Sequence, residues 1–167
     1  MLDYLSSYFD YVIVDCNSSF QHPTTDPIFQ LSKKIYFVYT TDFNNIKLNI
    51  KFLDKIEMFG ITDKVRYVLN RTLVGEQKKT FTFQYGDEEI IANKLRIDFR
   101  IPLMDMAVVY NSTYNHRQIA LDETAKTLPA RLQFIRLAND ITSLTNLEAI
   151  YGEVALLEKE YGKKIKK

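Results

Sequence analysis

Tyr8-Phe9-Asp10-Tyr11-Val12-Ile13-Val14-Asp15-Cys16-Asn17-Ser18-Ser19 is the stretch that decides how the rest of the chain is read. An apolar run rich in β-branched residues, Tyr11–Val14, ends in a carboxylate and then in small polar residues. Strands of a parallel sheet look like this because both of their faces are covered. Their C-terminal ends form the edge at which α/β sheets bind ligands. The pattern predicts a strand at Tyr11–Val14 that delivers Asp15 to that edge.

Working outward, Leu2 to Tyr8 reads as the last turns of a helix feeding this strand. Asp26-Pro27 reads as a helix start, with the carboxylate as cap and proline where its missing N–H costs nothing. That helix runs to Lys33-Lys34, which suit a helix C-terminus. Ile35–Tyr39 is a second strand of the buried type, stopped by Thr40-Thr41-Asp42. Ile46, Ile50, Leu53 and Ile56 then recur at helical spacing, with Thr41 or Asp42 as cap and Gly60 just past the end. Val65–Leu69 is a third strand and ends in Asn70-Arg71-Thr72.

Leu73–Tyr85 shows no clear period. Asp87-Glu88-Glu89 and Lys94 frame a short helix, which leads to a strand at Ile97–Ile101. Pro102 to Asn115 is ambiguous. Pro129 opens a helix through about Leu144, and Thr145-x-x-Glu148 is a capping box for a last one. Strands alternating with helical crossovers imply an α/β fold with a doubly wound, mainly parallel sheet. The strand ends Asp15–Ser19, Thr40–Asp42, Asn70–Thr72 and Pro102–Asp105 would then line a polar cleft.

Bulk properties narrow the function. The chain has 167 residues, 46% apolar and 26% charged, which suits a globular domain with a real core. A net charge of +1 gives no electrostatic case for nucleic acid. Cys16 is the single cysteine, so no internal disulfide forms, and a reducing, cytoplasmic setting is expected. Cys16, His22 and His116 lack the spacing of a recognised metal site.

The order of the motifs resembles a particular family. An acidic-tipped strand, then Thr-Thr-Asp after the next strand, Val-Leu-Asn-Arg after the third, and Ile-Pro-Leu-Met-Asp at 101–105 is similar to the C-terminal half of ParA/MinD-type ATPases. The likeness is greatest to the pilus-assembly branch called CpaE or TadZ. The resemblance covers roughly Leu2 to Ile141 and implies the following roles. Asp15 would be the Walker B aspartate, holding Mg²⁺ through a water beside ATP. Asn70 would contact adenine with Arg71 beside it, and Pro102 to Asp105 would flank base and ribose. Asp42 would lie near the rim where two subunits meet across nucleotide. The expected partners are a second copy and a pilus, secretion or positioning system, with peripheral contact at the inner face of the cell membrane.

The departures bear equally on function. A Walker A loop needs two glycines five apart followed by lysine. Gly60, Gly75, Gly86, Gly152 and Gly162 are the only glycines, and no two of them have that spacing. The sequence thus reads as a P-loop fold lacking its phosphate-binding strand, loop and helix, either as a fragment of a longer ATPase or as a remnant that keeps the fold for binding. In both cases the chain alone should not hydrolyse ATP. Cys16-Asn17 and Asn115-His116-Arg117-Gln118 also stand where the family has other residues. The alternative is a non-catalytic interaction domain. A receiver-like signalling domain fits less well, because its upstream acidic pair is not placed here.

Residues 1–144 are read as the nucleotide-binding part and 145–167 as an amphipathic helix with a basic tail. The helix stripe is Leu147, Ile150, Tyr151, Val154, Leu157 and Tyr161. Glu148, Glu153, Glu158 and Glu160 oppose its lysines and weaken attraction to anionic lipid.

Overall fold

The structure, a computed structural model, describes residues 2–16, 25–73, 90, 94–116, 118 and 128–142. The chain divides into two compact units, Met1–Arg100 and Ile101–Lys167. The final helix expected after Thr145, and most of the segments at 73–85 and 87–94, lie outside the described residues.

In the first unit, α1 spans Leu2–Ser6, α2 Thr25–Leu31, β1 Ile35–Tyr39, α3 Phe43–Met58 and β2 Val65–Thr72. A short 3₁₀ turn, Thr62–Lys64, leads into β2. A third strand, β3 (Phe99–Pro102), starts at the end of this unit, and the sheet order is β1-β2-β3. The sheet is parallel, with β1 and β2 in register from Ile35 beside Val65 to Tyr39 beside Leu69. The α/β architecture anticipated from the alternation is therefore present.

The central position of β2 explains its composition. Val65, Tyr67, Val68 and Leu69 are all buried, so both of its faces are covered. β1 differs from the expected doubly buried strand. Ile35, Phe37 and Tyr39 point into the core while Val38 on the opposite face stays exposed. Phe37 centres an aromatic cluster, stacked on Phe52 at 4.8 Å between ring centroids and edge-on to Tyr67 at 5.8 Å. Phe29 of α2 reaches the same ring of Phe52 at 5.7 Å.

The buried line of α3 is rotated slightly from the anticipated one. Ile46, Phe52 and Ile56 are fully buried, whereas Ile50 and Leu53 sit at its margin. Asn49 occupies a buried position because its amide donates to Asn45 Oδ1 at 2.8 Å. At the other end Gly60, with φ +62°, closes the helix. Its N–H donates to Glu57 O at 3.0 Å, and Ile61 N–H to Ile56 O at 3.2 Å. This is a Schellman arrangement, and the buried Ile56 and Ile61 add its usual apolar contact. Asp26 falls inside the first turn of α2 rather than before it. Its carboxylate meets Lys55 Nζ at 2.6 Å and so ties α2 to α3.

One expected strand does not form. Residues 9–16 are irregular, and Tyr11, Val12, Ile13 and Val14 are all exposed, Ile13 at 80%. The three strands of the sheet lie elsewhere in the sequence. A β-type sequence needs a neighbouring strand to take its backbone hydrogen bonds and a layer to cover its side chains. Among the described residues no strand pairs with this segment and its side chains stay exposed, so composition alone does not make it a strand.

Arg96 and Asp98 fasten the approach to β3. Tyr67 N–H donates to Asp98 Oδ2 at 2.8 Å, and Asp98 N–H donates back to Tyr67 O at 2.9 Å. Arg96 Nη2 holds the other carboxylate oxygen at 3.1 Å, and the Tyr39 hydroxyl donates to Arg96 O at 2.7 Å. Burial raises the Tyr67 phenol above its ordinary value of 10.0.

In the second unit, α4 spans Met106–Tyr114 and α5 Leu128–Thr142. The segment that read ambiguously is thus a loop and a helix, started by Asp105 as N-cap. α5 has the expected extent and buries Ala130 and Leu132. No helix among the described residues is long and apolar enough to cross a membrane.

Candidate functional site

The C-terminal ends of β1 and β2 carry the polar residues that the sequence placed at strand tips. Tyr39 and Leu69 are the last paired residues in the β1–β2 register. Thr40-Thr41-Asp42 follows the first of this pair and Asn70-Arg71-Thr72 the second, so the two polar triplets start at the same level of the sheet. Thr41 and Thr72 are buried, Thr40 and Asn70 half-buried, and Asp42 and Arg71 exposed. The two tips therefore carry two buried threonines, one exposed anion and one exposed cation.

The Thr40–Asp42 tip is rigid. Asp42 is the N-cap of α3, and its Oδ1 accepts from Asn45 N–H at 2.9 Å. Its other oxygen accepts from the Thr40 hydroxyl. Asn45 Oδ1 in turn accepts from Thr40 N–H at 2.8 Å, and from Asn49 Nδ2. The Asn45 side chain thus reaches back past the cap to Thr40, two residues before it, while its own N–H is capped by Asp42. The Thr40 hydrogen bond holds the Asp42 carboxyl below its ordinary value of 3.8, with burial as the next effect and opposing it. The Asn45 N–H and, last, the charge of Arg71 also lower it.

The Asn70–Arg71 tip turns sharply. Arg71 has φ +57°, a left-handed conformation uncommon for a residue with a side chain. Asn70 Oδ1 accepts from Arg71 N–H at 2.9 Å and stabilises that turn. The guanidinium remains outside, where an incoming group can meet it. A strained non-glycine residue at a sheet edge is the kind of feature that gathers at ligand sites.

The other expected site residues are placed as follows. Asp15 is exposed on the irregular segment and not at the end of a strand. The expected delivery of this carboxylate to the sheet edge is corrected accordingly, for the reason given for residues 9–16. Pro102 ends β3, and Asp105 caps α4 by accepting from Ala107 N–H at 2.8 Å. Both belong to the second unit. Among the described residues no three His, Cys, Asp or Glu side chains gather as a metal-binding group.

Sequence reasoning singled out Asp42 but missed the asparagines behind it. Asn45 and Asn49 stand one helical turn apart, and their signal is the pattern Thr-Thr-Asp-x-x-Asn-x-x-x-Asn at 40–49.

Comparison with solved structures bears on this arrangement. The chain is similar to the MinD cell division protein of Aquifex aeolicus, with a TM-score of 0.55 and 20% identity, over 77% of this chain and 52% of that one. The fold is of the MinD type. The chain is also similar to the MinC:MinD cell division protein complex of the same organism, with a TM-score of 0.52 and 20% identity, over 73% of this chain and 48% of that one. The chain thus spans about half the length of the structures it matches. No known protein-family pattern matches the sequence, and neither does any curated protein. At this identity the likeness concerns the fold alone.

Proposed function

We propose that this chain is the C-terminal part of a ParA/MinD-like nucleotide-dependent switch, with the β1 and β2 tips contributing the end of the site that meets the nucleoside. The observation that carries the reading is that β1 and β2, paired as far as Tyr39 and Leu69, run directly into Thr40–Asp42 and Asn70–Thr72 at one end of a MinD-type sheet. Asn70 and Arg71 would meet the base. Pro102 and Asp105 are assigned to its flank by resemblance alone. Asp15, on the irregular segment, is likewise assigned to magnesium, through water, by resemblance alone. ATP supplies the chemistry of the switch when bound, and the residues of this chain orient its uncharged end. The phosphate-binding loop has no counterpart in this sequence, so nucleotide hydrolysis requires a segment from elsewhere.

The finer reading is a dimer in which ATP controls subunit association, used in the cytoplasm or at the inner face of the membrane to position pilus, secretion or division machinery. The order of motifs favours the pilus-assembly branch. A second reading, a non-catalytic interaction domain, is favoured by the exposed apolar segment at Tyr11–Val14.

Calorimetry with ATP and ADP in the presence of Mg²⁺ tests the choice, using this chain and a longer polypeptide that adds a phosphate-binding strand and loop before it. Binding by the longer protein, weakened by Asn70→Ala, supports the nucleotide switch. Absence of binding by both overturns it in favour of the interaction domain.

A further inference from the structure

α4 is fixed at its ends yet buries nothing. Asp105 starts it by accepting from Ala107 N–H at 2.8 Å, and Asn115 ends it, its side-chain amide donating to Asn111 O at 2.8 Å. The nine residues Met106–Tyr114 carry no charge, and none of them is buried. Met106, Tyr110 and Tyr114 recur every four residues and share one side of the helix, 57%, 67% and 85% exposed. Isolated helices shorter than about 12 residues are marginal in water, and most helices in proteins draw their stability from a packed apolar face. A nine-residue helix with an uncharged, largely aromatic side open to solvent therefore calls for a cover.

That cover has to be apolar, because α4 offers no side-chain charge to an ionic partner. The unit that contains α4 continues past the end of α5 to Lys167. Residues 143–167 lie outside the described residues, and their sequence holds a stripe of the required chemistry, Leu147, Ile150, Tyr151, Val154 and Leu157. At about 1.5 Å per helical residue this stripe would run ~15 Å, enough to span the ~12 Å from Met106 to Tyr114. We propose that the apolar stripe at 147–157 docks on the Met106, Tyr110 and Tyr114 side of α4, so that the end of the chain covers its own second unit. The stripe is thereby used within the molecule and withheld from lipid and from a second copy. The docking is independent of any nucleotide.

Hydrogen exchange of backbone amides, followed by NMR on the whole 167-residue chain, tests this. In the wild type the α4 amides at 110–114 are protected. In Ile150→Asp they exchange about tenfold faster or more, as expected on losing one buried large side chain. The β2 amides at 67–69 belong to the other unit and keep their rates. Tyr110→Asp is the reciprocal variant and is read on the other segment, where exchange at 150–157 should rise by a similar factor. Tyr110 is exposed among the described residues, so this change removes nothing from the core, and it decides the matter if Ile150→Asp also loosens β2.

Unprotected amides at 110–114 in the wild type overturn the proposal, as does protection that neither substitution changes. Protection of α4 that grows with protein concentration assigns its cover to a second copy. A stripe protected only beside phosphatidylglycerol vesicles belongs to a membrane. Either of these results also overturns the docking.

Discussion

Two segments of this chain have nearly the same sequence character and opposite fates. Ile35-Tyr36-Phe37-Val38-Tyr39 forms β1, with three side chains in the core, while Tyr11-Val12-Ile13-Val14 lies irregular and exposed. The difference is not propensity, because both are built from β-branched and aromatic residues. β1 has β2 to take its backbone hydrogen bonds and Phe52 of α3 to cover its ring face. A strand is a property of a segment together with its neighbours.

The sharpest way to break that comparison is to truncate one side chain in each segment. Phe37→Ala removes the centre of the aromatic cluster and should cost about 3–5 kcal/mol in urea unfolding. Ile13→Ala should change stability by no more than about 0.5 kcal/mol, as at other exposed positions. An equal loss at Ile13 would mean that residues 11–14 are packed in solution and that the segment is a strand after all.

The legibility of the sequence follows the same division. β1, α3, β2 and α5 were legible because each is determined locally: an apolar period, Asp42 as cap, Gly60 as stop and Pro129 at the helix start. The segment at 11–14 was not, because its state depends on a partner strand that no local pattern reports. Met106–Tyr114 was missed for a different reason. Its apolar residues Met106, Tyr110 and Tyr114 follow a helical spacing but face solvent, so no buried stripe marks the helix. Of the candidate site, the polar tips could be read directly. The Asn45 and Asn49 supports could not, since asparagine in a helix ordinarily signals a weak former rather than a brace.

The joint between β2 and β3 sharpens the comparison, since there a single side chain stands in for a strand's backbone. Asp98→Ala removes the acceptor of Tyr67 N–H and should cost about 1–3 kcal/mol. Asp98→Asn, which keeps one oxygen, should lose less. Tyr67 adds a pH dependence. Burial raises its phenol above 10.0, so the protection it confers is complete below that pH and is lost as pH rises through the higher folded value. Alkaline unfolding followed with wild type and Tyr67→Phe checks the sign: the substitution should flatten the loss above pH 10.

Smaller effects are expected where α3 ends. No atom lies within 4 Å of a Cβ added at Gly60, so Gly60→Ala tests backbone conformation alone. With φ at +62° the cost should be about 1 kcal/mol in urea unfolding. A cost near zero would show that the Schellman closure tolerates a side chain, and that Ile56 and Ile61 hold the helix end by packing.

An effect of similar size, and one that vanishes in acid, belongs to the other end of the same helix. Asp42 is a cap whose carboxyl is held below 3.8, chiefly by the Thr40 hydroxyl. A lowered folded value means that its contribution is complete above the unfolded value and disappears as pH falls through the folded one. Asp42→Ala should therefore cost about 1 kcal/mol at neutral pH. That deficit should close as pH drops below 3.8, where the wild type loses the same ionised acceptor. Asp42→Asn should cost only a few tenths of a kcal/mol at neutral pH, because asparagine caps nearly as well. Parallel acid-unfolding curves for wild type and Asp42→Ala would mean that the carboxylate contributes nothing to the helix start, and the rigid strand tip would then have to be held by Asn45 and Asn49 alone.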